Sequence, residues 1–420
     1  MKRYSRILVY LLMVLPTLLM QSCLKDQEDF FDEPAATRLQ NYLNEAHDVL
    51  KSSEKGWIME YYPHRNLRYG GNVFILQFDG TQVTVRSEQT GDASKSETSY
   101  YKFSGDNGPL LTFDTYNELF HLYATPNGQM YQGYDGDFEF VIDSYNENEV
   151  VLHGKRTHNE IHMYRLTEDG EAYLNKVIAK SGELKYAGAK GQIGTSENVV
   201  GLIDIDSREL ELNDGTTTVK TSFCYTDRGI RLYKALEMGG TSFSALDYDE
   251  ETEMYTSTGS DGQTISLKAG YPDGWKSYYD LVGTYTIKGT KINVNVVADE
   301  VDKTFILKNM SEDGDIVANY NPFFGSINIP LQPVGSFTGS DGNKYYVSLC
   351  GYNDDYVAWS EDVIFKGRNT EDGEGGFSIS MRNSEYFSML LGVFDNEKRS
   401  GTSWAGADVE FPNPFVFIRK

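Results

Sequence analysis

Cysteine, histidine and positive charge are scarce in this chain of 420 residues. Its 3 cysteines and 6 histidines leave little material for a disulfide framework or a multi-histidine metal centre. The sequence has no Gly-x-Ser-x-Gly elbow, phosphate loop or dinucleotide fingerprint, which argues against the hydrolases and nucleotide-binding enzymes that these motifs define. Its 38 basic residues stand against 62 acidic ones, and a net charge of −24 repels phosphate backbones. We therefore expect no nucleic-acid partner.

Long apolar runs are also missing, except for a short one at the N-terminus. Basic residues at positions 2, 3 and 6 precede the nearly apolar run 7–20, and Ser22 and Cys23 follow it. A charged start, a short apolar run and a small residue at the cut describe a secretory signal peptide, here 1–22. A transmembrane anchor is the alternative, but it needs about 20 apolar residues, and Pro16 interrupts this shorter run.

Cys23 stands where bacterial lipoproteins carry their lipid-attachment site. Cleavage before it would leave a new N-terminus acylated on its thiol and amine, and two or three acyl chains hold a protein on a bilayer without a spanning helix. The segment 23–34 that follows is rich in acidic residues. It is either a solvated leash or, as its position after the lipidated cysteine suggests, similar to the surface-export signal of Bacteroidetes lipoproteins. The second interpretation predicts an outer-membrane location facing the cell exterior.

The other two cysteines, Cys224 and Cys350, lie in strand-like runs far from Cys23. Two cysteines in an exported protein can pair. A chain of this size with no other staple does not need the bridge, and each side chain also suits a small buried position. We expect two free thiols.

Alternating apolar residues and frequent turn residues predict a mainly β fold built of antiparallel meanders that form barrel-like or sandwich modules. Glycine at 40 residues and tyrosine at 30 favour strands and turns. A helix is predicted over 35–54. Apolar alternation on both sides of Asp79-Gly80 predicts a hairpin, and further strands are expected at 100–104, 110–113, 119–124, 137–143, 149–154 and 160–166.

A second helix is predicted at 168–180, and the Gly-, Lys- and Ser-rich stretch 181–197 is typical of a linker. More than one core is expected at this length. We predict an N-terminal helix plus β-module over 35–180, a second β-module over 181–275 and a C-terminal one over 276–420. The segment Thr-Gly-Ser-Asp-Gly occurs at 258–262 and again at 338–342, which indicates either a duplicated module or the same turn chemistry used twice.

The candidate metal ligands are His158, Glu160 and His162. Two imidazoles and a carboxylate on one face of a helix or strand can bind zinc. The metalloprotease pattern places Glu directly after the first His, and Asn159 occupies that position here. A half-exposed strand explains the same alternation without a metal. We therefore predict no metal, no cofactor and no catalytic residue. These grounds favour a non-enzyme and leave the question of enzymatic activity open.

The aromatic residues offer a positive indication of ligand binding. The sequence has 4 tryptophans, at positions 57, 275, 359 and 404. Such rings can stack on sugars, or they can fill the half-buried faces of sheets. An exposed aromatic patch would favour binding.

Four segments of the sequence carry a family resemblance: Cys23 to Asp29, Gly-Trp-Ile-Met-Glu-Tyr-Tyr-Pro at 56–63 after the predicted helix, 108–117 and 136–140. They are similar to an uncharacterised family of Bacteroidetes outer-surface lipoproteins that carries a domain of unknown function. Such lipoproteins often accompany SusC/SusD-like uptake systems. The resemblance implies a non-enzymatic ligand-binding or assembly accessory in nutrient uptake. Its expected partners are outer-membrane lipid through Cys23, a SusC/SusD-like complex, and a glycan or peptide ligand. A surface hydrolase of glycans or peptides and an adhesin are the alternatives.

Overall fold

The computed structural model describes residues 33–105, 108–126, 133–353, 356–371, 376–383, 386 and 388–420. The predicted signal peptide 1–22, Cys23 and almost all of the acidic leash lie outside the described residues. The predicted fold class is confirmed: the chain is mainly β, with antiparallel barrel-like modules and an N-terminal helix. In the described part of the chain, no helix is both long and apolar enough to cross a bilayer.

The N-terminal module combines helix α1 (Ala35–Lys51) with a nine-stranded sheet in the order β4-β3-β2-β1-β9-β8-β7-β6-β5. The two outermost strands are consecutive in the chain and only Tyr101 separates them, so the sheet curls back on itself. Its strands are β1 (Trp57–Tyr61), β2 (Asn72–Phe78), β3 (Gln82–Ser87), β4 (Glu97–Tyr100), β5 (Lys102–Ser104), β6 (Leu110–Thr112), β7 (Glu139–Tyr145), β8 (Glu149–Gly154) and β9 (Glu160–Arg165).

Helix α1 packs on this sheet through one face. Leu43, Ala46 and Leu50, spaced three and four residues apart, are buried in the core of the module. The indole N–H of Trp57 donates a hydrogen bond of 2.8 Å to the carbonyl of Leu50 and joins the end of the helix to β1. The Asp79-Gly80 turn joins β2 to β3, as the hairpin prediction required.

The prediction of a strand at 119–124 is wrong. Residues Glu118–His121 form a short helix, α2, because the Asn117 side chain accepts a hydrogen bond of 3.2 Å from the Phe120 N–H and caps the turn. Leu119 and Phe120 are buried in the core, so this stretch contributes apolar side chains to the module from a helix and not from a strand.

Helix α3 (Gly170–Glu183) leads into the first closed barrel, in which consecutive strands pair and β17 returns to β10. The Asp169 carboxylate caps α3, and Leu174 and Val177 pack into a core shared by the nine-stranded sheet and the barrel. The barrel strands are β10 (Gly188–Ile193), β11 (Ser196–Asp204), β12 (Glu209–Asn213), β13 (Thr218–Tyr225), β14 (Gly229–Met238), β15 (Thr241–Asp249), β16 (Met254–Thr258) and β17 (Thr264–Gly270).

The prediction of a linker at 181–197 is also wrong, because this stretch completes α3 and forms β10. Its small residues have a structural purpose. A side chain at Gly191 would collide with the Ser266 carbonyl of the neighbouring strand β17, so glycine allows the two strands to pair closely.

The second closed barrel has the strand order β18-β19-β20-β21-β22-β26-β27-β30. Its strands are β18 (Gly283–Ile287), β19 (Asn293–Asp299), β20 (Thr304–Lys308), β21 (Ile316–Asn321), β22 (Ser326–Pro330), β26 (Ile364–Glu371), β27 (Phe377–Arg382) and β30 (Val416–Arg419). Two excursions from the barrel build a five-stranded sheet of β23 (Gln332–Thr338), β24 (Lys344–Tyr352), β25 (Val357–Ala358), β28 (Ser388–Phe394) and β29 (Trp404–Glu410). Single 3₁₀ turns occur at Glu88–Thr90, Tyr279–Leu281 and Gly401–Ser403.

This sheet packs on the second barrel, since Val347, Leu349 and Leu391 belong to the barrel core. The nine-stranded sheet, the first barrel and the second barrel thus follow one another along the chain. The division of the chain into modules at 35–180, 181–275 and 276–420 stays a prediction.

Candidate functional site

A cleft separates the walls of the two barrels. It consists of two neighbouring cavities of ≈ 380 Å³ and ≈ 400 Å³ that share Asp204, Arg368 and Arg382 as lining residues. Because the same side chains border both cavities, we treat them as one groove and call it the junction cleft. Each volume falls within the range of about 300–1,000 Å³ typical of small-molecule sites.

The wall from the first barrel is acidic. Asp204 ends β11 and pairs in register with Glu209, the first residue of β12. Glu209 and Glu211 lie on the same face of β12, since side chains two residues apart share a face, and both line the cleft. The alternate residues Leu210 and Leu212 are fully buried in the barrel. Strand alternation therefore explains why the carboxylates face the cleft.

The opposite wall, from the second barrel, is basic. Lys366 and Arg368 share one face of β26, and Arg382 on β27 is the register partner of Lys366. Two ion pairs cross the cleft to the first barrel. Arg368 Nη2 lies 2.5 Å from Asp204 Oδ2, and Lys366 Nζ lies 2.8 Å from Asp206 Oδ2.

Arg368 is the most enclosed of these cations. Its guanidinium carbon lies 3.3 Å from the centre of the Phe324 ring, in a cation–π contact. Burial lowers the pKa of Arg368, the Asp204 charge opposes this shift, and the nearby positive charge of Arg382 adds to the lowering. Arginine remains protonated at neutral pH even so. Arg368 therefore carries its charge into a partly desolvated position.

A loop of the N-terminal module reaches the same cleft and contributes Arg68 and Tyr69 to its lining. Burial, and then the positive charge of Arg68, lower the pKa of the neighbouring His64. The junction cleft is thus the place where side chains from all three consecutive parts of the chain meet.

An aromatic pair stands beside the other end of the cleft. The Tyr271 and Trp275 rings stack with their centres 4.1 Å apart, and Tyr271 is 55% exposed. The Trp275 indole N–H donates a hydrogen bond of 2.9 Å to the Pro322 carbonyl. Pro272 and Asp273, between the two rings in sequence, line the cleft itself. A partly exposed, fixed aromatic surface therefore continues the groove.

The other tryptophans are structural. Trp57 is fully buried, and Trp359 and Trp404 pack against Phe394 in a small cluster on the five-stranded sheet. Among the four tryptophans, Trp275 thus stands beside the cleft.

The candidate metal ligands do not converge on a common centre. Glu160 and His162 lie on β9, whereas His158 lies in the turn before it, with φ +62°. His162 Nδ1 is 2.8 Å from Glu149 Oε1 and its Nε2 is 3.1 Å from Glu160 Oε1, so both ring nitrogens already have carboxylate partners. In the described ranges, no group of three or more His, Cys, Asp or Glu side chains is arranged to hold a metal ion.

Ile161 and Met163, the alternate residues of this strand, are fully buried. The half-exposed strand that the sequence offered as an alternative to zinc binding is therefore what forms. Cys23, the predicted lipid-attachment residue, lies outside the described residues.

The cleft residues were missed in the sequence because no local motif joins them. Asp204 and Arg368 are 164 positions apart. The available signal was an alternation of charged and apolar residues at 209–212 and 364–368, which indicates only an exposed strand face. Their meeting depends on how two barrels pack, which strand periodicity does not encode.

Comparison with known proteins identifies two protein families. The model of "Domain of unknown function (DUF4302)" matches residues 27–250, and a second domain of unknown function (DUF4987) matches residues 258–374. The first match ends just after β15 and the second begins at the last residue of β16, so the boundary between them falls inside the first barrel.

No curated protein matches the chain. Among solved structures, the crystal structure of the DNA polymerase III beta subunit from Thermotoga maritima is 11% identical and covers 77% of this chain and 96% of its own. Its TM-score of 0.11 is too low to support any argument. Since the first family model covers more than half of the sequence, the chain belongs to the DUF4302 family.

Proposed function

We propose that this protein is a lipoprotein on the outer face of a bacterial outer membrane, tethered through Cys23, that binds a ligand in the junction cleft without transforming it. The single observation that carries the binding role is the cleft itself, a groove between two barrels lined by charged side chains and bordered by an exposed aromatic pair. Concave sites with a few convergent polar groups and aromatic rings are the usual form of ligand sites.

The charged groups of the cleft favour binding over catalysis. Asp204 is engaged by Arg368 across the groove, Asp273 pairs with Lys190 at 2.7 Å, and Glu209 pairs with Lys220 at 3.3 Å. Carboxylates that are paired with neighbouring cations are suited to binding and orienting a polar ligand. A general acid or nucleophile instead needs a freely positioned group aimed at the reacting bond.

The tether and the partners rest on the N-terminal pattern. The short apolar run, Ser22 and Cys23 support lipidation, and the acidic leash supports surface display. A binding protein held on the outer face suits an accessory role beside a SusC/SusD-like uptake complex, to which it would deliver a captured glycan or peptide.

Three experiments test this proposal. Metabolic labelling with an alkyne-tagged palmitate should label the wild-type protein and leave Cys23→Ala unlabelled, and external protease should degrade the wild type on intact cells. Affinity purification from the native membrane should recover an uptake complex. Labelling that persists in Cys23→Ala, or full protection of the wild type on intact cells, would overturn the surface-lipoprotein role.

A hydrolase is the second candidate, because Glu209 and Glu211 share one face of the acidic wall. Paired carboxylates flanking a groove can cleave a glycosidic bond. A hydrolase would release reducing ends from a glycan panel and lose that activity in Glu211→Gln. Binding of an intact glycan with no release favours the first proposal.

A further inference from the structure

We propose that the junction cleft binds a glycan bearing an acidic group, a carboxylate or a sulfate ester, and that Arg68 and Arg382 receive that group. The inference deepens the ligand-binding role proposed above and rests on it. It follows from the charged side chains that line the cleft, from the aromatic pair beside it, and from the pairing of the strands that form its walls.

The charge balance of the ≈ 400 Å³ cavity is opposite to that of the protein. Four cationic side chains line it against two carboxylates: Arg68, Lys366, Arg368 and Arg382 against Asp204 and Asp206. The chain as a whole carries −24. A positive site inside a strongly negative surface concentrates an anion locally, while the remaining surface repels it.

Two of the four cations have no ion-pair partner among the residues that the structure describes. Arg368 forms an ion pair with Asp204 across the cleft, and Lys366 forms one with Asp206. Arg68 and Arg382 form no ion pair with any described residue, although acidic residues outnumber basic ones throughout the chain. Among the described residues that line this cavity, the unpaired positive charge therefore lies on the guanidinium groups of Arg68 and Arg382.

The two arginines of the second barrel also repel each other. Arg368 and Arg382 lie on the neighbouring strands β26 and β27 and line the same two cavities, and the charge of Arg382 is the last of the causes that shift the pKa of Arg368. An anion bound beside Arg382 would relieve this repulsion. The planar fork of arginine donates two parallel hydrogen bonds to a carboxylate or a sulfate, so the residue type suits an oxyanion.

The stacked rings at the other end of the groove favour a sugar as the carrier of the acid. Tyr271 is 55% exposed and is held by Trp275, which offers a rigid apolar surface for the face of a pyranose ring. A ligand with an apolar ring face and an acidic substituent would engage both ends of the cleft.

An acidic peptide fits less well. Peptides commonly bind by adding a strand to an open sheet edge. The walls of the cleft are formed by β11, β12, β26 and β27, and each of these strands is paired on both sides within a closed barrel. The cleft therefore offers side chains without the unpaired backbone that would hold an extended peptide.

The test is a titration calorimetry series on the chain that follows the signal peptide, with Cys23→Ala to keep it soluble. The probes are oligogalacturonate, low-molecular-weight dextran sulfate, neutral dextran and polyglutamate. We expect one of the two acidic glycans to bind, the affinity to fall with added salt, and neutral dextran to bind at least tenfold more weakly. Oligogalacturonate and dextran sulfate distinguish a carboxylate from a sulfate ester.

Arg68→Ala and Arg382→Ala should each weaken binding of the acidic glycan about 10- to 100-fold, which corresponds to about 1.4–2.8 kcal/mol. The matched control is Lys308→Ala, an exposed cation on β20 of the same barrel, which should leave binding unchanged. Arg382 is exposed and forms no ion pair with a described residue, so its variant should retain the wild-type circular dichroism spectrum and melting temperature.

The outcomes separate the two proposals. If neutral dextran binds as tightly as the acidic glycans, with no effect of salt or of the arginine variants, the acidic-glycan inference fails while the ligand-binding role stands. Tighter binding of polyglutamate than of either acidic glycan also overturns the inference. If none of the probes binds, both the inference and the binding role in the cleft are overturned.

Discussion

Arg368 and Asp204 form an ion pair of 2.5 Å that joins the second barrel to the first, and both side chains are more than three-quarters buried. Both side chains line the two cavities of the junction cleft. The same contact thus holds the barrels together and shapes the groove between them.

Arg368→Met should destabilise the protein by about 1–3 kcal/mol, because it removes a charge-assisted hydrogen bond and leaves Asp204 without its cation. The measurement is urea unfolding of the full chain, followed by fluorescence. In a double-mutant cycle with Asp204→Asn we expect a coupling energy of about 1–3 kcal/mol, since the two side chains are in contact. Strict additivity of the two variants would contradict a direct stabilising pair.

Arg208→Met should cost more, about 3–5 kcal/mol, because Arg208 pairs at 2.5 Å with Glu88, whose side chain is only 4% exposed. This pair joins the first barrel to the nine-stranded sheet. Without its cation, the Glu88 carboxylate stays buried with no opposite charge beside it. The measurement is urea unfolding of the full chain at neutral pH, followed by fluorescence.

The matched control for that variant is Arg228→Met, which removes an arginine that is 72% exposed and 3.5 Å from Asp247. We expect it to change the unfolding free energy by less than about 1 kcal/mol. An equal loss in both variants would show that the Arg208 effect does not arise from the buried carboxylate.

The two thiols of the described chain should be inert in the folded protein. Cys224 lies in the first barrel and Cys350 in the five-stranded sheet. Both are buried, and neither forms a disulfide with a described residue. Burial raises the pKa of Cys350 to about 12 and that of Cys224 well above its usual value, so neither forms a thiolate at pH 8. A thiol assay at pH 8 should detect both only after denaturation. Rapid labelling of the native protein, or a mass change on reduction, would refute this prediction.

Asp261 should stabilise the turn between β16 and β17 at neutral pH and lose this effect in acid. Its carboxylate accepts hydrogen bonds from Thr241 and Gln263, and these bonds lower its pKa from 3.8. A depressed pKa in the folded state gives stability that is complete above the unfolded pKa and is lost as the pH falls through the folded pKa. The difference in urea midpoint between the wild type and Asp261→Asn should therefore be larger at pH 7 than at pH 2.5.

Asp302→Asn is the control for that comparison, because the Asp302 side chain is exposed and accepts no hydrogen bond from a described residue. Its urea midpoint should follow that of the wild type at both pH values. A midpoint difference for Asp261→Asn that stays constant between pH 7 and pH 2.5 would exclude the carboxylate as the source of the effect.

The two Thr-Gly-Ser-Asp-Gly segments show what local sequence can determine. In the first, Gly259 N–H donates to the Gln263 carbonyl at 2.8 Å, and in the second Gly339 N–H donates to the Asn343 carbonyl at 2.8 Å, so the two loops share this backbone hydrogen bond. The first loop belongs to a closed barrel and the second to the five-stranded sheet. The recurring segment therefore specifies a turn and leaves open the sheet in which that turn is used.

Strand β10 and the junction cleft show where local sequence is insufficient. The run Gly188–Ile193 is rich in small and polar residues, and it becomes a strand only because β11 and β17 pair with it on both sides. In the same way, the ion pair between Asp204 and Arg368 forms only if the two barrels pack in one particular orientation. Helix α1 and the Asp79-Gly80 hairpin, by contrast, follow from residues within a few positions of each other and were predicted correctly.

The closure of the second barrel has a consequence for biosynthesis. Strand β30 (Val416–Arg419) pairs with both β18 and β27, whereas every strand of the nine-stranded sheet and the first barrel has been made by Gly270. A growing chain can thus complete the first two sheets early, while the second barrel stays open until β30 emerges. A chain cut before Val416 would expose the edges of β18 and β27, and such unpaired edges recruit other strands. Proteolysis at this point should therefore promote aggregation of the protein.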